Sequence, residues 1–185
     1  MAERSIRADA QRNREQLLQA ALHAFSGAGA ADVSLEAIAK AAGVGIGTLY
    51  RHFPSRDALV EAVYRTELAR LCDASGELLA TEAPAAALRE WMGRFVAFQA
   101  TKHGMADALH AVIASGGNPF EETRARLLEA VGTLAQAGVA SGALRDDVEP
   151  VDILTALLGL SLASVGPAQS DRLLDLLLEG LRRRA

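Results

Sequence analysis

The segment from Ser34 to Arg56, Ser-Leu-Glu-Ala-Ile-Ala-Lys-Ala-Ala-Gly-Val-Gly-Ile-Gly-Thr-Leu-Tyr-Arg-His-Phe-Pro-Ser-Arg, leaves few folds open to this chain. An apolar-periodic stretch, with Leu35, Ile38 and Ala42 on its inward stripe, stops at Gly43. Ser34 stands where an N-cap belongs. After a tight turn a second helix carries Thr48, Tyr50, Arg51 and His52, and Pro54-Ser55 opens a third. Two short helices joined by a glycine turn, the second bearing polar and basic groups, form a helix-turn-helix that fits the DNA major groove.

The helical wheel separates anchors from readers. With Leu49 taken as inward, Phe53 lies about one-ninth of a turn away, while Gly47 and Arg51 fall nearly opposite and Thr48 and Tyr50 flank them. Ile46 turns partly inward at the exposed start of the helix. Glycine at positions 45 and 47 weakens the helix but removes side chains that would hold it off a groove floor. An arginine here can bond guanine O6 and N7, and a tyrosine or threonine hydroxyl can bond phosphate. The bland reading of each residue alone is a solvated helix face.

The run Gly43-Val44-Gly45-Ile46-Gly47-Thr48-Leu49-Tyr50-Arg51-His52-Phe53-Pro54-Ser55-Arg56 resembles the recognition segment of the TetR family of transcriptional regulators, Gly-Val-x-x-Gly-Thr-Leu-Tyr-x-His-Phe-x-Ser-Lys. The resemblance implies that Ile46, Gly47, Thr48, Tyr50 and Arg51 face the groove and that Tyr50, His52 and Arg56 sit beside phosphates. Ser34 and Gly45 complete the expected DNA-facing set. Family members often carry Ser where Gly45 stands, so one hydroxyl is missing here, and Lys where Arg56 stands, which keeps the charge. With so few polar groups, part of the readout falls to apolar contact between Ile46 and thymine methyls.

Charge permits this reading without carrying it. Residues 1–56 hold seven Lys/Arg against five Asp/Glu, and residues 57–185 hold twelve against eighteen. Only the N-terminal end is positive, as expected if that end meets phosphate. Arg4, Arg7, Arg12 and Arg14 fit either a DNA-contacting arm or a solvated end, and Lys40 either a phosphate contact or a helix C-terminal lysine. A single cysteine, Cys72, allows no internal disulfide and agrees with a reducing cytoplasm. The N-terminus has no signal-peptide core. Ile153–Ser170 is uncharged, but Gly166-Pro167 and the bracketing Asp152 and Asp171 mark it as a buried helix rather than a membrane span.

The rest of the chain reads as helix. After a polar arm at 1–10, a first helix runs from about 9 to 26, with Leu18, Leu22 and Phe25 on one stripe and Gly27 and Gly29 ending it. A long helix is predicted from Ser55 to about Glu82, then helices at about 85–102, to Ser115, at 120–140, 150–166 and 169–183. Gly116-Gly117-Asn118-Pro119 is the clearest loop. The expected fold is all-α: a helix-turn-helix DNA-binding domain at 1–54 and a helical ligand-binding and dimerisation domain at 55–185.

Trp91, Phe95 and Phe98, with Met105, Leu109, Ile113 and Phe120, read first as core. Small residues among them, such as Ala97 and Ala108, can leave a cavity, and the family resemblance implies an effector pocket in this region. His103, Asp107 and His110 share a helical face, but Gly104 interrupts it and no fourth ligand is near, so no metal and no cofactor is expected. Enzyme signatures are absent. The apolar residues Ile153, Leu154, Leu157, Leu158, Leu160 and Leu162, and Leu173, Leu174, Leu176, Leu177, Leu178 and Leu181, spread around two closing helices and predict a homodimer. The expectation is a cytoplasmic regulator, by family habit a repressor, that binds a near-palindromic operator and is released by a small molecule. The alternative is a helical small-molecule-binding protein whose helix-turn-helix is only structural.

Overall fold

A computed structural model of the chain describes residues 2–25 and 33–183, with side chains from Ala8 onward. Its helices are α1 (Ala2–Phe25), α2 (Leu35–Ala41), α3 (Ile46–His52), α4 (Arg56–Thr81), α5 (Pro84–Gly104), α6 (Ala106–Ala114), α7 (Thr123–Ala140), α8 (Pro150–Ala163) and α9 (Pro167–Leu181). Among the described residues there is no strand, only an isolated antiparallel bridge between Leu144 and Arg182. The fold is all-α, as the sequence predicts.

The chain divides into two compact units. The first comprises the residues up to Thr66 together with Thr101–Pro119. Within it α1, α2 and α3 pack on one another. Leu17, Leu18, Ala21 and Phe25 of α1, Ile38 and Ala39 of α2, and Leu49 of α3 are buried, as are Leu59, Val60 and Val63 in the first turns of α4. Each of the larger of these side chains, leucine, isoleucine, valine or phenylalanine, contributes about 1.5–3 kcal/mol by leaving water. Ser115, at the end of α6, donates its hydroxyl hydrogen to Asp57 Oδ2 at 2.7 Å.

The second unit comprises Glu67–Ala100 and the residues from Phe120 on. Trp91 is wholly buried on α5, and its indole N–H donates to the Leu71 carbonyl at 2.8 Å. That bond satisfies the one polar atom the ring brings inside. Arg89 joins α5 to α9 through Asp175 at 2.7 Å and Asp171 at 3.3 Å. The helices α7 and α8, and α8 and α9, pack in sequence. Leu144 lies over Gly138 so closely that a Cβ there would stand 2.2 Å from its Cδ1. The chain end is tied back by Arg145 N–H to the Leu181 carbonyl at 3.0 Å and Arg183 N–H to the Ala143 carbonyl at 3.2 Å.

Several boundaries differ from the sequence reading. Residues 2–10 are not an arm: α1 begins at Ala2, because Ala, Glu and Arg continue a helix even where no apolar stripe guides it. Leu22 is half-buried, while Leu17 and Ala21 point in. The expected stop at Gly27 and Gly29 lies outside the described residues. α7 starts at Thr123 rather than 120, since Glu122 has φ of 64°, a left-handed value that no helix admits. α8 stops at Ala163, where Ser164 becomes extended, and Pro167 takes the first turn of α9, where its missing N–H costs nothing.

Candidate nucleic-acid interface

The helix-turn-helix is built by three local devices. Ser34 caps α2, its Oγ accepting from the Ala37 N–H at 3.1 Å. At the other end of α2 the Gly43 N–H donates to the Lys40 carbonyl at 3.1 Å and the Val44 N–H to the Ala39 carbonyl at 3.0 Å. This paired pattern is a Schellman cap, which needs a left-handed residue, and Gly43 supplies it with φ of 70°. Gly45, extended, then starts α3, its carbonyl accepting from Thr48 and Leu49.

α3 is held from below and open above. Leu49 has no exposed surface and Phe53 is 3% exposed, so both anchors of the wheel lie inside. Gly45, Gly47, Tyr50 and Arg51 are exposed, with Tyr50 at 48%; Ile46, Thr48 and His52 are half-buried. No Cβ built at Gly45 or Gly47 meets anything within 4 Å, so these glycines clear space toward solvent rather than toward the protein. Arg51 makes no hydrogen bond or ion pair among the described residues, and its donors remain available to a base edge.

Arg12, Arg14 and Arg56 of this unit have partners within the protein. Arg56, expected beside phosphate, lies with its guanidinium carbon 5.0 Å from the Phe25 ring centroid and donates to the Val33 carbonyl. Arg14 stands 5.3 Å from the centroid of Phe53. Arg12 pairs with Asp9 at 3.2 Å on the surface. The side chains of Arg4 and Arg7 lie outside the described residues. Lys40 is exposed at the end of α2. The role of Arg14 was missed in the sequence, although its spacing to Leu18, Ala21 and Phe25 (i, i+4, i+7, i+11) sets it on the inward stripe of α1.

The expected effector residues are mostly interior. In the second unit Trp91 and Phe95 have no exposed surface, their rings 5.8 Å apart, Phe98 is buried and Phe120 half-buried. In the first unit Met105 and Leu109 are buried, whereas Ile113 is 44% exposed. Open depressions occur instead along α9, beside Arg172, Leu173 and Leu176, and between α7 and α8, beside Gly132, Gln136 and Pro150. His103, Asp107 and His110 are exposed, and no group of three or more His, Cys, Asp or Glu among the described residues is arranged to hold a metal ion. Among the described residues no helix is long and apolar enough to cross a membrane.

A capped helix-turn-helix with an outward, cation-bearing second helix on an all-helical body defines a class: a helix-turn-helix DNA-binding protein. Residues 17–63 match the family of bacterial regulatory proteins called the tetR family, and residues 83–183 match the C-terminal domain of SbtR-like transcriptional regulators. The crystal structure of a TetR transcriptional regulator from Streptomyces coelicolor is 50% identical, covers 93% of this chain and 99% of its own, and superposes with a TM-score of 0.87. A TetR transcription regulatory protein from Mycobacterium vanbaalenii is 35% identical, covers 96% and 99%, and gives 0.81. An HTH-type transcriptional regulator of Staphylococcus aureus is 38% identical over 63 residues, a match spanning 34% of this chain and 34% of that protein's length. The chain belongs to the TetR family and is a helix-turn-helix transcriptional regulator.

Proposed function

We propose that the protein is a cytoplasmic repressor that binds a near-palindromic operator as a homodimer and is released by a small-molecule effector. The observation that carries this is the open face of α3: anchored through Leu49 and Phe53, it projects Tyr50 and Arg51 with Gly45 and Gly47 clearing their surroundings. In this reading residues 1–54 form the DNA-binding domain and residues 55–185 the ligand-binding and dimerisation domain. Ile46, Gly47, Thr48 and Arg51 read the groove, while Tyr50 and His52 touch phosphate.

Dimerisation is supported by apolar surface that a lone chain leaves wet. Leu162 of α8 is 85% exposed and Leu176 of α9 is 68% exposed, with Leu158, Leu173 and Leu177 half-buried near them in sequence. A second copy related by a twofold axis covers such a face with its own equivalent and sets two recognition helices about 34–36 Å apart, one turn of DNA, or farther. The effector is proposed to be an apolar or weakly polar molecule that binds against Trp91, Phe95 and Phe98. Because α4 is continuous from Arg56 to Thr81, a ligand-dependent shift of its C-terminal half is felt at Arg56. Such a ligand weakens DNA binding only by its differential affinity for two arrangements.

The test is selection of duplexes from a randomised pool by the purified protein. A recovered motif with two inverted half-sites, bound with an affinity that an α3 variant loses, supports the reading. Recovery of no motif, with binding equal on all sequences, overturns it.

A further inference from the structure

The two arginine–aromatic contacts of the first unit stand at opposite ends of the helix-turn-helix. Arg56, at the start of α4, lies over Phe25, the last residue of α1, and donates to the carbonyl of Val33, the residue before the α2 cap. Arg14, on α1, lies over Phe53, the residue that terminates α3. One contact therefore fixes where α2 begins and the other where α3 ends, and both are made to the same scaffold helix. A guanidinium suits this role because its plane lies flat on a ring while its edge still donates hydrogen bonds.

From these contacts we infer that Arg14 and Arg56 are positioning residues for DNA readout, setting the pose of α3 rather than contacting phosphate. A guanidinium that stands 5.0 Å from the Phe25 ring centroid and bonds the Val33 carbonyl has at least one donor committed inside the protein. The alternative is the phosphate contact that the family resemblance implies for the position of Arg56. The present inference depends on α3 being the element that reads the operator, and the parent protein tests that dependence by itself.

The two roles differ in salt dependence. Each phosphate contact that is lost lowers the slope of log affinity against log salt by about 0.9 on duplex DNA. A positioning residue leaves the slope in place and lowers the ratio of specific to non-specific affinity instead. The experiment compares the full-length parent with Arg56→Met and Arg14→Met on the duplex the parent selects and on a scrambled duplex, across a salt series. Helicity and thermal midpoint are followed alongside.

Each variant is expected to bind the selected duplex about tenfold more weakly, to bind the scrambled duplex as the parent does, and to keep the parent's salt slope. A slope reduced by about one, with both duplexes weakened together, identifies a phosphate contact and overturns the inference. So does parent-like binding of the selected duplex. If Arg56→Met does not fold, Arg56→Gln carries the same readout, since it keeps a donor for the Val33 carbonyl without the charge. A parent that selects no duplex contradicts the operator reading itself, a result distinct from any variant's failure.

Discussion

Arg51 and Tyr50 are neighbours on α3, both exposed, and chemistry assigns them different work. If Arg51 reads a guanine edge, Arg51→Ala costs about 1–3 kcal/mol on the operator and flattens the base preference at one position of each half-site. Competition binding against a panel of single-base operator variants measures both effects. Tyr50→Phe removes only a hydroxyl, so the loss is about 0.5–1.5 kcal/mol and the same on every sequence. Cys72 offers a check away from DNA. Burial of the half-buried thiol raises its pKa, Arg126 opposes the shift, and Asp73 and Glu129 add to it. The folded protein thus holds the thiol proton more tightly than the unfolded chain. The stability this provides is fully present below the ordinary thiol pKa and is lost as pH rises through the raised one. Alkylation of the native protein should accordingly accelerate at higher pH than alkylation of the same thiol in denaturant, and coincident profiles would contradict the burial.

At the scale of the element, two glycines make opposite demands. Gly43 must be left-handed to close the α2 cap, although nothing stands near its absent Cβ. Gly43→Ala should destabilise the protein by about 1–2 kcal/mol through backbone strain alone. Gly138 has ordinary helical backbone but Leu144 fills the space of its side chain. Gly138→Ala should cost about 1–3 kcal/mol by overpacking, and adding Leu144→Ala should relieve the clash, so that the double variant is less destabilised than the two single losses combined. Denaturant unfolding of the three variants checks this, and strict additivity would remove the packing account. The contrast shows what a sequence reveals. The α2–α3 turn was legible because Ser34, Gly43 and the Leu49/Phe53 spacing obey local rules. Gly138 gave no local sign, since its partner comes from the loop beyond the helix. The start of α1 was misplaced because propensity without an apolar stripe leaves no periodic mark, and the left-handed Glu122 that delays α7 has no glycine to announce it. The destinations of Arg14 and Arg56 depend on aromatic rings of other elements, which charge counting cannot see.

At the scale of the whole molecule, the helical composition and the C-terminal leucine runs were readable early. What the sequence could not divide was which leucines serve the chain's own core. The structure buries Leu154, Leu157, Leu174 and Leu178 and leaves Leu162 and Leu176 exposed. Charged substitution at the exposed pair should therefore spare the monomer fold: Leu162→Glu with Leu176→Glu is expected to keep the parent's helicity and a cooperative transition, at a lower midpoint that no longer depends on protein concentration, while abolishing operator binding. A calorimetric scan beside a binding titration separates that outcome from simple unfolding. The central claim, a twofold pair of outward α3 helices acting on one duplex, is tested most directly by sedimentation equilibrium of the protein alone and on its selected duplex. The account predicts a free species of about twice the 19.4 kDa chain mass at micromolar concentration and two chains on each duplex. A free species at 19.4 kDa with a single chain per duplex would contradict it.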